Sequence, residues 1–218
     1  MTDTDTLAIG TDTATYALGK SQGRQVAALH HVASKDRARI ALCSIHIKYS
    51  SDELTFTVTD TYRMAERSYR AVEGPVGESN TLDVAHIAGV NHSAVAVDAV
   101  ALRDAFRAVK AAHLVTLEVG ASGVTVSAGE TLVTVPAIDK DYPDTDRLWD
   151  LSPPANTLEG AKHLAISAEY LWGLSRATGR TPKDMGPMVL TGSTDLKPIH
   201  VRMPGEGNFR AILMPVRV

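Results

Sequence analysis

Apolar positions in this chain fall into short β-branched runs broken by turn-forming residues, with helical spacing in between. Residues 14–18 read as a strand, and Ser21 is placed to cap a helix running to about Ala33. Residues 40–47, 54–59 and 63–72 follow as strands, interrupted at Ser50-Ser51-Asp52 and Asp60-Thr61. The same order then returns. Residues 94–97 form a strand, Asp98 a cap, and Leu102, Phe106 and Val109 a helical stripe at i, i+4 and i+7. Strands are predicted over 115–119, 124–127 and 131–137, with Gly120-Ala121-Ser122-Gly123 and Gly129-Glu130 as turns. A third round begins with a strand at 163–166, a cap at Ser167 and a helix with Tyr170, Leu171 and Leu174 on one side. Strands at 188–191, 199–203 and 209–213 complete it. The pattern predicts an α+β fold of repeated β-α-β-β-β half-units, with helices on one face of antiparallel sheets. A first domain of two half-units covers residues 1–140, a linker 141–160, and a single half-unit 161–218. The connection 73–92 is long enough to predict a short helix around 84–88.

Composition narrows the class. With 44% apolar and 22% charged residues, the 218-residue chain can bury a sizeable core. Only 5% are aromatic, so that core is mainly aliphatic. A net charge of −3 excludes a whole-surface basic field but leaves room for a locally basic channel. The single Cys43, between Leu42 and Ser44 in an apolar stretch, reads as a buried small hydrophobe. No run reaches the roughly 18 apolar residues of a membrane helix, and the acidic start Met1-Thr2-Asp3-Thr4-Asp5-Thr6 lacks the basic opening of a signal peptide. A protein of a reducing cytoplasm, without membrane contact, is expected.

Two stretches carry more information. Phe56-Thr57-Val58-Thr59-Asp60-Thr61-Tyr62-Arg63-Met64-Ala65 reads as a strand, a sharp turn and a second strand. Ala211-Ile212-Leu213-Met214-Pro215-Val216-Arg217-Val218 is an apolar strand where a chain end is usually polar. Together, in this order, they resemble the bacterial DNA polymerase III beta subunit (sliding clamp) family, here a shortened, phage- or actinobacterial-type member. Asp141-Tyr142-Pro143-Asp144 is similar to a segment between two domains of that family. The resemblance covers roughly residues 26–218. It corresponds to the family's middle domain followed by half of its last one.

The resemblance implies a DNA clamp fold and a non-enzymatic processivity factor that encircles duplex DNA without regard to sequence. It also implies a pocket for short peptides of DNA polymerase and clamp loader, of the Gln-Leu-x-Leu-Phe type. Carried over by position, that pocket comprises Leu42, Thr59, Thr61, Tyr62, Arg63 and Met64 from the first strand pair. Pro143, Arg147 and Leu148 come from the linker, and Ser167 and Tyr170 from the third helix. Ile212, Leu213, Met214, Pro215, Val216, Arg217 and Val218 form the tail. Thr61 stands where the family usually has Gly, Tyr62 where His is common, and Ser167 where Asn is. Val216 and Val218 replace longer side chains, which should widen or shallow the pocket. In the family the helices line the ring's hole. Here Arg103, Arg107 and Lys110 recur at i, i+4 and i+7, and Arg176, Arg180 and Lys183 repeat the spacing. The first helix offers Lys20 and Arg24, with Lys35, Arg37 and Arg39 beyond it. Such residues touch phosphates and read no sequence.

Other signals are weaker. Leu18-Gly19-Lys20-Ser21 resembles the end of a phosphate-binding loop, but Ala14 stands where a Gly is needed. His30-His31 has no third ligand at metal spacing, so a surface or cap role is favoured. Asp60 reads as a turn cap rather than a catalytic base. Tyr170 and Trp172 read as core or interface residues. No catalytic residue, metal or cofactor is expected, which disfavours a small-ligand enzyme. A clamp-fold adaptor or decoy that binds clamp-binding peptides without closing a ring is the alternative reading. Family rings hold twelve half-units, so three per chain predict a cyclic homo-tetramer closed head to tail, ahead of a trimer or dimer.

Overall fold

A computed structural model describes residues 13–50, 52–72, 81–87, 93–149, 165–181, 183–192 and 197–216. Strand β1 (Thr13–Gly19) alternates buried and half-buried positions and leads into helix α1 (Lys20–Ala28). Gly19, not Ser21, is the N-cap: its N–H donates to the Gln22 side chain at 2.7 Å. The helix tightens into a 3-10 turn over Leu29–His31 instead of running on to Ala33. Residues Ile40–Cys43 also form a 3-10 turn, so the expected strand from residue 40 starts only at Ser44. Strands β2 (Ser44–Tyr49), β3 (Glu53–Thr59) and β4 (Arg63–Val72) follow, antiparallel in sequence order. The helix expected near 84–88 is instead a strand, β5 (Thr81–Ile87), which pairs β1 antiparallel and the end of β4 in parallel. Its Thr-Leu-Asp-Val-Ala-His-Ile run gains ladder hydrogen bonds on both sides, which outweighs a weak helical tendency.

The order then recurs as β6 (Ser93–Asp98), α2 (Ala99–Ala108), β7 (Leu114–Gly120), β8 (Gly123–Ala128) and β9 (Thr131–Pro136). Asp98 caps α2 by accepting from Val100 and Ala101 N–H. Leu102, Phe106 and Val109 are all buried. A single turn, α3 (Asp146–Trp149), lies in the connection, before α4 (Ala168–Ala177), β10 (Val189–Thr191), β11 (Ile199–Arg202) and β12 (Phe209–Leu213). Of the strand expected at 163–166, residues 163–164 lie outside the described residues and 165–166 are irregular.

Two kinds of sheet junction hold these elements together. Leading strands are exchanged: β1 pairs β7, and β6 pairs β2, both antiparallel. Last strands meet edge to edge: β12 pairs β4, with Phe209 opposite Arg67 and Leu213 opposite Arg63. Helices α1 and α2 pack together on the inner side, Gly23 leaving room for the Phe106 ring. Helix α4 packs on β4, β12 and the 29–31 turn. Beneath β4, Arg67 is fully buried. It forms an ion pair with Glu206 at 2.9 Å and donates to the Thr178 carbonyl and the Asn208 side chain.

Candidate functional site

Along β4, Arg63, Arg67 and Tyr69 point inward to the helices and Met64, Glu66 and Ser68 alternate with them to the other face, so the β4–β12 junction presents two chemistries. The turn before it is built by side chains. Asp60 accepts from Tyr62 and Arg63 N–H at 3.0 Å each and pairs with Arg63 Nε at 2.9 Å. Thr59 Oγ1 accepts from Thr61 N–H and donates to the Arg63 carbonyl. The turn forces Thr61 to φ +81°, a conformation that favours Gly. Arg63 is buried. Its guanidinium donates to the Glu169 and Tyr170 carbonyls and lies 5.2 Å from the Tyr170 ring centre. Gly173 makes this possible, because a Cβ there would sit 1.7 Å from Arg63 Nη1.

Tyr62, 53% exposed, stacks on Tyr170 with ring centres 5.5 Å apart. Burial, followed by the nearby Asp60 carboxylate, raises the Tyr170 phenol above its ordinary range. The tail then follows the turn: Met214 N–H donates to the Tyr62 carbonyl at 2.8 Å, and Val216 N–H to that of Ala165 at 2.9 Å. Outside the sheet, Met64 and Ile212 are paired neighbours, both buried. The connection crosses this face, with Tyr142 stacked on His46 and donating to the Thr57 carbonyl. Trp149 donates to Glu66 beneath the Arg210 guanidinium.

The structure therefore gathers Thr59, Thr61, Tyr62, Met64, Ser167, Tyr170, Ile212, Leu213, Met214, Pro215 and Val216 around one junction. Ser167 serves there as the N-cap of α4. Leu42 is buried in the 40–43 turn, and Leu148 is half-buried in α3. Pro143 and Arg147 are exposed, Arg147 meeting Asp144 at 3.2 Å. Arg217 and Val218 lie outside the described residues. Sequence reasoning missed Gly173 and Trp149, and it flagged the segment holding Tyr142 without giving that residue a place at the junction. A glycine inside a helix is a legible sign of close approach, whereas the aromatic pair had no distinguishing spacing.

The second surface is the helix face. A groove of about 860 Å³ between α1 and α2 has Ala27, Phe106 and Val115 in its floor and Lys20, Arg24, Arg103, Arg107 and Lys110 around it. A second groove, of about 410 Å³, reaches α4 and adds Lys35, Arg37 and Arg176. His30, His31 and Arg103 line both. Trp172, expected in a core or interface, is 57% exposed and borders the second groove. The His30 and His31 rings lie with centres 3.8 Å apart, their planes tilted by 42°. Burial lowers both histidines' basicity, His31 to about 3. Arg103, Arg107 and Arg176 push each further down, and His30 does the same to His31.

Not all the expected cations are free. Arg103 and Arg107 share Asp104, Arg37 meets Asp98, and Arg39 meets Asp36. Arg180 is committed elsewhere: it pairs with the buried Glu206 and donates to the Asp184 carbonyl. Lys183 is exposed in the loop after α4.

No family model matches the chain. The beta sliding clamp of Synechocystis sp. is 34% identical over 121 residues, which is 53% of this chain and 30% of that protein. The chain thus matches less than a third of that relative's length. The sliding clamp of Pseudomonas aeruginosa superposes with a TM-score of 0.68 at 13% identity, over 96% of this chain and 68% of that one. The beta sliding clamp of C. crescentus gives 0.69 at 18% identity, over 100% and 68%. In fold, and in sequence over the 121 matched residues, this chain is similar to the bacterial DNA polymerase III beta subunits, the sliding clamps.

Proposed function

We propose that this protein is a sliding clamp, a non-enzymatic processivity factor that encloses duplex DNA and tethers replication proteins through the cleft at Tyr62 and the C-terminal tail. The observation that carries this reading is the helix face. On a chain of net charge −3, α1, α2 and α4 bring Lys20, Arg24, Arg103, Arg107, Lys110 and Arg176 to two adjoining grooves. Cations spread over several helices suit a phosphate backbone followed around its axis, without base readout. At the turn end of the β4–β12 junction, Tyr62 stacks on Tyr170 beside a tail of Met214, Pro215 and Val216. Such a surface anchors a leucine- and phenylalanine-containing peptide by burying apolar side chains. DNA polymerase and clamp loader segments of that chemistry are the partners it suits.

A peptide titration tests the cleft. A labelled Gln-Leu-x-Leu-Phe peptide is expected to bind the full chain, and removing Met214 to Val218 to cost on the order of 2–4 kcal/mol. Equal affinity for the truncated chain would reject this placement.

A further inference from the structure

The pairing pattern gives every half-unit two different sides. On one, the leading strand is exchanged and helix meets helix, as where β1 joins β7, β6 joins β2 and α1 packs on α2. On the other, last strand meets last strand, as where β4 joins β12. The half-units follow in space as third, first, second. The last-strand junction lies between third and first, and the exchange junction between first and second. Among the described residues, one side of each kind is left over. The second half-unit ends at the outer edge of β9, and the third at β10 and the outer flank of α4.

We infer that copies of this chain associate head to head: β9 pairs antiparallel with β9 of a second copy, and the α4–β10 side meets the same side of another. This rests on the ring proposed above, and it replaces the head-to-tail order expected from the repeat count. Head-to-tail contact would press β9, a last strand, against β10. That edge, by the pattern of β2 and β7, receives a leading strand that continues into a helix. Like sides meeting like are two-fold contacts.

The exposed residues agree with two unfilled junctions. Leu132, on the edge of β9 that no described strand pairs, is 66% exposed; the strand carries no charged residue, and its Pro136 stands only at its end. On α4 the comparison is direct. Ala99 and Leu102, one and four residues after the α2 cap, are both 0% exposed, covered where the first half-unit adjoins. Their counterparts one and four residues after Ser167 are Ala168, exposed, and Leu171, half-buried. Val189, at the start of β10, is 45% exposed.

Two distinct two-fold contacts per chain close only into rings with an even number of copies, which rules out a trimer. A dimer would offer six helices. At 8–10 Å per packed helix these give a wall of axes with a radius of only about 8–10 Å, no larger than the duplex itself. Four copies, with twelve helices, are the smallest closed ring that leaves room.

Light scattering on the full chain, with two variants, separates the outcomes. The wild type is expected at four times its 23.3 kDa mass. Leu132→Lys should halve that mass, because only the β9 contact is lost. Leu171→Glu should also halve it, and the double variant should give single chains, with circular dichroism checking that each stays folded. Thr134→Cys should oxidise to a covalent dimer and nothing larger, since the native Cys43 is buried. Leu132→Lys falling directly to single chains, an unchanged mass, or an odd number of copies would overturn head-to-head closure while leaving a ring possible. A wild type that is itself a single chain would overturn the ring as well.

Discussion

At Thr61 a β-branched residue is held at φ +81° by its N–H donating to Thr59 Oγ1 and by the Asp60 side chain that closes the turn. The left-handed region costs an L-residue about 1–2 kcal/mol, while glycine returns about 0.5–1 kcal/mol of that as unfolded-chain entropy. Thr61→Gly is therefore expected to raise stability by a few tenths to about 1 kcal/mol in chemical denaturation, and a loss of stability would show that the strain is relieved elsewhere. Gly173 works in the opposite sense. Its missing side chain is occupied by the Arg63 guanidinium, which is fixed by Asp60 and two helix carbonyls and cannot easily swing away. Gly173→Ala should displace Arg63 and loosen the Tyr62–Tyr170 stack, at a cost of about 1–3 kcal/mol despite alanine's better helix propensity. Denaturation of the variant, read beside its peptide affinity, checks both effects.

Between elements, a buried ion pair and a histidine pair do what apolar packing alone does elsewhere. Arg67 joins β4 to the segment before β12 through Glu206, and it also donates to the Thr178 carbonyl and the Asn208 side chain. Removing one partner of such a pair leaves a buried charge, so Glu206→Ala is expected to cost about 3–5 kcal/mol. It should also expose the third half-unit to limited proteolysis before the rest. The histidines set a pH dependence. His30, His31 and His46 all have lowered folded-state basicity, mainly through burial. Protons then bind the unfolded chain first, so this stability is complete above about pH 6.5 and is lost as pH falls through the window down to about 3 for His31. Denaturation midpoints should fall between pH 7.5 and 5, and His31→Gln should flatten that slope.

The same scale shows what the sequence could carry. Alternation and turn residues made β3, β4, β7, β8 and β12 legible, and Asp98 and Ser167 announced their helices by capping chemistry. The segments 40–43 and 81–87 were misread for a different reason. Their conformations are decided by distant partners, the Ser34 N–H that reaches the Leu42 carbonyl and the β1 and β4 edges that flank β5. Likewise Arg67 and Arg180 look like any surface cations in sequence, and only the fold shows that both converge on Glu206.

For the whole molecule, the proposed clamp differs from a site-specific binder in how it holds DNA. Two of its helix-face cations, Arg103 and Arg107, share Asp104. Exposed pairs of this kind contribute little to folding, typically under about 1 kcal/mol. The triple variant with Arg103, Arg107 and Arg176 changed to Ala should therefore keep nearly wild-type thermal stability while its salt-sensitive attraction to duplex DNA weakens. Topological retention should behave differently. A closed ring stays on a circular plasmid when salt screens its cations, and slides off once the plasmid is cut, because enclosure rather than affinity holds it. Gel filtration of loaded protein on circular and linearised DNA at low and high salt distinguishes the two contributions. Retention that falls with salt equally on both forms would show that the protein clings to the backbone through its helix face without enclosing it.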